Sequence, residues 1–246
     1  MIEINSAEAL MVWVMNRFSE TLGEHAILKG GMVLRLLDCP RYTNDLDYIF
    51  VPFDSKKKIW PMIERTLQEL DGAQIQHEMN SKCLRIRVTF RNYSIQIESN
   101  VMLECKTQPM STSAMAKRHN QLPRVIRVMR FDWALANKLA AWNERELIRD
   151  LYDAHFLSGI MNEKPDLDIL IERLQKINYT GKTRHKNLPK SLTLNEFVER
   201  LKTAVKNLTA KEVEQELRDY LAPEELAGLD KRMTVGLMRL ADNLLK

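Results

Sequence analysis

The sequence predicts an α+β protein: a small mixed sheet with helices over residues 1–130, then a purely helical domain over 131–246. Three observations carry that prediction. The segments 45–50, 83–90 and 93–101 alternate apolar and polar residues with the period of two that a half-buried strand imposes. From Phe131 onward only helical periodicity remains. A hydrophobic content of 45% can bury a real core, and no apolar run approaches the length of a membrane span.

The elements follow in order. Ser6 is placed to cap a helix that runs to about Leu22, and Gly23 ends it. Its apolar stretch, Ala9 to Met15, follows Glu3 and Glu8 and lacks a basic flank upstream, so it reads as an amphipathic helix and not as a signal peptide. K-G-G-M-V-L-R-L-L-D, from Lys29, is a tight turn opening a short helix that carries Met32, Leu34, Leu36 and Leu37. In R-Y-T-N-D-L-D-Y-I-F-V-P, from Arg41, Leu46, Tyr48 and Phe50 point one way and Asp45, Asp47 and Ile49 the other, until Pro52 stops the strand. A third helix is expected between Trp60 and Leu70, with Pro61 in its first turn and Gly72 after it.

Residues 74–79 give a weak strand signal. Cys83 to Phe90 and Tyr93 to Val101 form a hairpin about Arg91-Asn92, and Val125 to Met129 is one more strand. Asp132 is placed to cap a helix carrying Leu135, Lys138, Leu139 and Trp142. Thr193 with Glu196, and Thr209 with Glu212, are capping boxes for later helices. The basic stretch Asn178 to Pro189 reads as an exposed loop.

Charge is unevenly placed. The net charge is only +4, but no acid falls between Cys105 and Phe131, where Lys106, Lys117, Arg118, Arg124, Arg127 and Arg130 stand. A second acid-free tract, Arg173 to Asn195, holds Lys176, Lys182, Arg184, Lys186 and Lys190. Such tracts suggest a polyanionic partner. Cys39, Cys83 and Cys105 are too few and too far apart for a zinc knuckle, and fit free thiols in a reducing, cytoplasmic setting. His25, His77, His119, His155 and His185 show no metal-type spacing, which argues against a His- or Cys-based enzyme.

The chemistry concentrates in two places. Asp45 and Asp47, two apart on a strand, present carboxylates side by side. Like charges that close repel, and a divalent cation between them relieves the repulsion. Gly30 and Gly31 let backbone N–H groups approach a phosphate, and the helix they open points its unpaired N–H groups at the same anion. Glu98, on the hairpin face opposite Ile95 and Ile97, is a candidate third carboxylate if that face lines the cleft, and otherwise a polar residue on an outer face. A lone D-x-D also opens many solvated strands and a lone G-G is an ordinary turn; their order, one short helix apart, is what carries the metal–phosphate reading.

The second place is F-D-W-A-L-A-N-K-L-A-A-W-N-E-R-E-L-I-R-D-L-Y-D-A-H-F-L. Lys138 adjoins an apolar stripe and either snorkels to solvent or binds triphosphate as a point charge. Asp150 and Asp153 share a helix face and either orient Lys138, help activate an acceptor hydroxyl, or pair with Arg145 or Arg149; on spacing alone, surface pairing is favoured.

These blocks, K-G-G-M-V-L-R-L-L, then R-Y-T-N-D-L-D-Y-I-F, then A-N-K-L-A-A-W-N-E-R-E-L-I-R-D-L-Y-D-A-H-F-L, resemble the nucleotidyltransferase toxins of the AbiEii/AbiGii type, within the DNA polymerase beta-like nucleotidyltransferase superfamily. The resemblance runs from about Ile27 to Leu157. It implies a polymerase-beta-like core followed by a helical domain that contributes Lys138 and Asp150/Asp153 to the cleft. It implies magnesium at Asp45 and Asp47, with Glu98 as a further ligand, and room for two metals. It also implies nucleotide binding by Lys29, Gly30, Gly31, Thr43 and Lys138, with Asp150 or Asp153 completing the catalytic set. An NTP would be the substrate and an RNA, such as a tRNA 3′ end, the acceptor. A cognate antitoxin would be the partner. Relatives usually carry Ser or Thr after the two glycines, and Met32 stands there in this chain. That departure motivates a second reading, a decayed core serving as an RNA-binding or regulatory module. A phosphotransferase acting on a protein or small molecule shares the same site chemistry.

Overall fold

Ser6 accepts a hydrogen bond from the Ala9 N–H at 3.0 Å and starts helix α1, Ala7–Leu22. In the computed structural model the described residues are 4–246, without the side chain of Lys182, so Glu3 lies outside them. The chain divides into two compact units, Met1–Arg130 and Phe131–Lys246.

The first unit is built on one seven-stranded sheet. Its strands are β1 (Ala26–Lys29), β2 (Asp45–Phe50), β3 (Gln74–Met79), β4 (Leu84–Phe90), β5 (Tyr93–Val101), β6 (Thr107–Ser111) and β7 (Val125–Met129), in the spatial order β3-β4-β5-β2-β1-β7-β6. β2 runs parallel to β5 and antiparallel to β1. Helices α2 (Gly31–Leu36), α3 (Lys56–Gln68) and α4 (Ser113–Arg118) complete the unit.

α1 packs on β1, β5 and β7 and against α3. The ring of Phe18 meets Tyr48 edge-on at 5.1 Å and Phe50 at 5.9 Å. Leu46, Tyr48 and Phe50 therefore form the packed side of β2, and Asp45 and Asp47 stand on the other. The period of two has put hydrophobic burial, worth about 2 kcal/mol per large side chain, on one face and left the acids to the opposite one.

Several boundaries differ from the sequence reading. α3 begins at Lys56, capped by Ser55, whose hydroxyl accepts the Lys57 N–H at 3.3 Å; Pro61 lies inside the helix and not in its first turn. The proline removes the helical donor only from the carbonyl of Lys57, an exposed residue. β1 gives no alternating signal because Ala26, Ile27 and Leu28 are all buried in a central strand. β6 is polar and contains Pro109, which its position at the sheet edge allows. α4 is one more short element that the sequence reading leaves out.

The second unit is helical: α5 (Phe131–Arg145), α6 (Ile148–His155) running into a π turn (Phe156–Ile160), α7 (Leu167–Gln175), α8 (Leu194–Lys206), α9 (Ala210–Leu217), α10 (Pro223–Leu226) and α11 (Leu229–Asn243). α5 already includes Phe131, so Asp132 sits in its first turn, its carboxylate accepting the Trp133 N–H at 2.8 Å. Both capping boxes form as the sequence predicts. The stretch 178–189 is mostly exposed, but Gly181–Thr183 forms a 3-10 turn, and buried Thr183 donates to the carbonyl of Glu144. Among the described residues no helix is long and apolar enough to cross a membrane.

Candidate functional site

β1 ends at Lys29, the chain turns through Gly30 into α2, and β2 passes alongside. This geometry brings Lys29, Gly30, Gly31, Thr43, Asp45 and Asp47 into one place. The Lys29 ammonium lies 3.8 Å from the Asp47 carboxylate. Gly30 has φ +74° and ψ −152°, and a Cβ built there would stand 2.2 Å from Asp47 Oδ2. A Cβ on Gly31 would lie 2.6 Å from the Arg41 guanidinium and 3.2 Å from Thr43 Oγ1. Both glycines are therefore places where the backbone closely approaches side chains of the R-Y-T-N-D-L-D segment. Thr43 Oγ1 in turn accepts from the Asp45 N–H at 3.4 Å. Sequence reading did not single out Arg41, although it opens the same motif; it is buried and packs against Gly31.

Gly30→Ala is expected to cost about 1–3 kcal/mol from backbone strain alone. It should also displace the Asp47 carboxylate and lower transfer activity at least tenfold. Gly31→Ala meets the far end of an arginine and should be milder. Thermal melts together with nucleotide-transfer rates check this, and equal effects at the two positions would contradict it.

Met32 is buried, 1% exposed, so its side chain belongs to the core. α2 spans only six residues. Its dipole contributes little, and what the turn offers an anion is its backbone N–H groups. Burial pushes the Cys105 thiol up to about 11, against the pull of Lys29, so it stays protonated near neutral pH.

The sheet register adds a row that the sequence reading saw only in part. Lys29 pairs with Asp47, Asp47 with Glu98, Glu98 with Arg85, and Arg85 with Glu78, across β1, β2, β5, β4 and β3. Glu98 thus shares the face of Asp47, one strand away. Its Oε1 accepts from Arg85 Nε at 3.0 Å, Arg85 Nη2 at 2.9 Å and Gln96 Nε2 at 3.1 Å. Among the described residues no group of three His, Cys, Asp or Glu side chains stands close enough together to hold a metal. Asp45, exposed, and Asp47, half-buried, nevertheless offer the hard oxygen donors that magnesium takes. Three of the five histidines serve elsewhere: His25 hydrogen-bonds the Val51 carbonyl at 2.8 Å, His119 pairs with Glu8 at 2.7 Å, and the His77 ring lies tilted against Trp60 at 4.0 Å.

The second constellation lies in the helical unit. Lys138 Nζ is 2.5 Å from Asp153 Oδ2 and 3.6 Å from Asp150 Oδ1. Arg145 grips Asp150 with two bonds, 2.6 and 2.7 Å. Both carboxylates are 0% exposed. The pairing with Arg145 that spacing favoured is present for Asp150, but not at the surface: both carboxylates are buried where α5 packs on α6, while Lys138 and Arg145 stay partly exposed. Nor does Lys138 snorkel outward; its ammonium turns to Asp153. Arg149 takes no part through its side chain, and its backbone N–H donates to Glu216 at 3.1 Å.

An acid pair beside a glycine turn on the sheet is the arrangement that the sequence led one to expect of a nucleotidyltransferase. The family described as "Nucleotidyl transferase AbiEii toxin, Type IV TA system" matches residues 13–235, and the chain belongs to that family. It is a nucleotidyltransferase of the toxin type, and a type IV toxin–antitoxin family implies an antitoxin partner. No curated protein matches the chain. Among solved structures, JHP933 from Helicobacter pylori is similar with TM-score 0.57 at 17% identity, covering 97% of this chain and 92% of that one. MenT4, a nucleotidyltransferase toxin of Mycobacterium tuberculosis H37Rv, is similar with TM-score 0.57 at 16% identity, covering 96% and 83%. At these identities the likeness shows the fold.

Proposed function

We propose that the protein transfers a nucleotidyl group from an NTP to the 3′ end of an RNA acceptor, tRNA being the foremost candidate, in a magnesium-dependent reaction in the cytoplasm. The observation that carries this reading is the acid pair Asp45–Asp47 on one side of β2, with Asp47 packed against the Gly30 turn.

The acceptor hydroxyl oxygen forms a bond to the α-phosphorus, the bond from that phosphorus to the bridging oxygen breaks, and pyrophosphate leaves with the electron pair. The hydroxyl proton passes to solvent or to a carboxylate of the pair. Asp45 and Asp47 would hold magnesium, which supplies charge neutralisation for the phosphates and a more acidic attacking hydroxyl. Lys29 and the backbone N–H groups at Gly30 and Gly31 receive the phosphates, and Thr43 positions Asp45 through its N–H. Lys138 acts as a point charge for the triphosphate, and Asp150 and Asp153 are positioning residues that fix it. Three exposed cations, Lys117, Arg118 and Arg127, support a polyanionic acceptor.

The test is incubation of purified protein with α-phosphate-labelled ribonucleotides, magnesium and total RNA. Label is expected in RNA. Label in protein or in a small molecule would redirect the reading to another acceptor, and no transfer with any ribonucleotide would leave a decayed RNA-binding module instead.

Glu98 as a further metal ligand has its own test. Arg85→Gln frees the carboxylate and is expected to tighten Mn²⁺ binding, read by electron paramagnetic resonance, several-fold. Glu98→Gln should weaken it, and the Arg85 effect should vanish in the Glu98→Gln background. Unchanged Mn²⁺ affinity in Arg85→Gln would remove Glu98 from the ligand set.

A further inference from the structure

We infer that Arg87 binds a backbone phosphate of the acceptor strand and thereby sets the side from which the acceptor enters. The inference rests on the nucleotidyl-transfer reading above and names one residue that receives its second substrate.

The register supplies the geometry. Next to the row of Asp47 runs a second row on the same face: Asp45 beside Gln96, Gln96 beside Arg87, Arg87 beside Gln76. Strands are spaced about 4.8 Å apart, so Arg87 rises roughly 10 Å from Asp45 across the open face. The two rows differ in charge. In the first, Lys29, Asp47, Glu98 and Arg85 compensate one another, and Arg85 is committed to Glu98. In the second, Arg87 has only neutral amides for neighbours. It is exposed and has no hydrogen-bond or ion-pair partner among the described residues. A guanidinium held on an interior strand, uncompensated and facing solvent two strands from an acid pair, is equipped for bidentate capture of a phosphate.

Position decides which phosphate. The dyad is on β2. Lys29 ends β1 and Gly30 and Gly31 follow it, on one side of β2, and Arg87 is on β4, on the other. An in-line displacement places the attacking and leaving oxygens on opposite sides of the phosphorus. With the donor's phosphates on the glycine side, the acceptor approaches over β5 and β4, where Arg87 stands one or two nucleotides behind the reacting hydroxyl.

The experiment measures binding of a short 5′-fluorescein-labelled single-stranded RNA by anisotropy over a range of salt, and of magnesium–ATP by calorimetry. The full-length protein is compared with Arg87→Gln, Arg87→Lys and, as a charge control at the nearby turn, Arg91→Gln. Arg87→Gln is expected to weaken RNA binding about five- to tenfold at low salt and to lower the salt slope by about one phosphate contact. Arg87→Lys should restore the slope, Arg91→Gln should change affinity less than about twofold, and ATP binding should not move. Equal losses for Arg87→Gln and Arg91→Gln would mean diffuse charge and overturn the inference. So would a loss confined to ATP, which would give the guanidinium to the triphosphate. Label transfer by the unaltered protein is scored separately. An inactive protein whose RNA affinity still depends on Arg87 refutes the enzymatic reading and supports the phosphate contact, whereas an active one indifferent to Arg87 does the reverse.

Discussion

Replacing Asp45 and Asp47 together with asparagine is expected to abolish nucleotide transfer, by at least about 1000-fold in kcat, while the protein stays folded. The size follows from the chemistry. A thousandfold is about 4 kcal/mol of transition-state stabilisation, the order associated with removing preorganised charge from a reacting phosphate. Asparagine keeps shape and hydrogen-bonding capacity but not the negative charge that would hold magnesium. Stability should hardly change. Asp45 is exposed and Asp47 half-buried, and the 3.8 Å contact of Asp47 with Lys29 is a solvent-screened pair worth at most about 1 kcal/mol. Relief of repulsion within the dyad offsets part of even that. Label-transfer assays and thermal melts on the same preparation separate the two effects, and growth on expression gives a cellular readout in which toxicity disappears with the charges. Transfer within tenfold of the unaltered protein would mean that the dyad is only a solvated strand start.

Much of this site was legible because it obeys simple periodicities. Asp45 and Asp47 are two apart in a strand whose other face is Leu46, Tyr48 and Phe50, so one pattern gave both the core and the acids. Ser6, Thr193 and Thr209 announce their helices by side-chain chemistry alone. β1 could not be read in the same way. Ala26, Ile27 and Leu28 are apolar throughout, and a strand buried on both faces loses its alternation. The link between Asp47 and Glu98 depends on β2 lying parallel to β5, a pairing of segments distant in sequence that no local pattern encodes. Arg85 and Arg87 were within reach: a hairpin closing on Phe90 opposite Tyr93 already sets Arg85 opposite Glu98 and Arg87 opposite Gln96. The burial of Asp150 and Asp153 was not, because spacing says that two acids share a helix face but not what packs over that face.

Lys138→Met should destabilise the helical unit by about 3–5 kcal/mol, the range for removing one partner of a buried ion pair. Asp153 would lose the ammonium 2.5 Å from its carboxylate, and Asp150 would keep Arg145 but lose the second cation. Methionine fills nearly the same volume, so a cavity is not the cause. At roughly 2–4 °C per kcal/mol for a chain of this size, the melting temperature should fall by about 6–20 °C. The charge explanation has a direct check: Lys138→Met combined with Asp153→Asn removes the facing carboxylate's charge as well and should recover part of the loss, a coupling that a double-mutant cycle reads. A combined variant no more stable than Lys138→Met would show that the pair stabilises nothing and that packing alone holds α5 to α6. The same combined variant also separates structure from chemistry. If Lys138 serves only the fold, restored stability should restore transfer. If it contacts the triphosphate, the doubly substituted protein should be stable and still inactive, with its KM for the NTP raised.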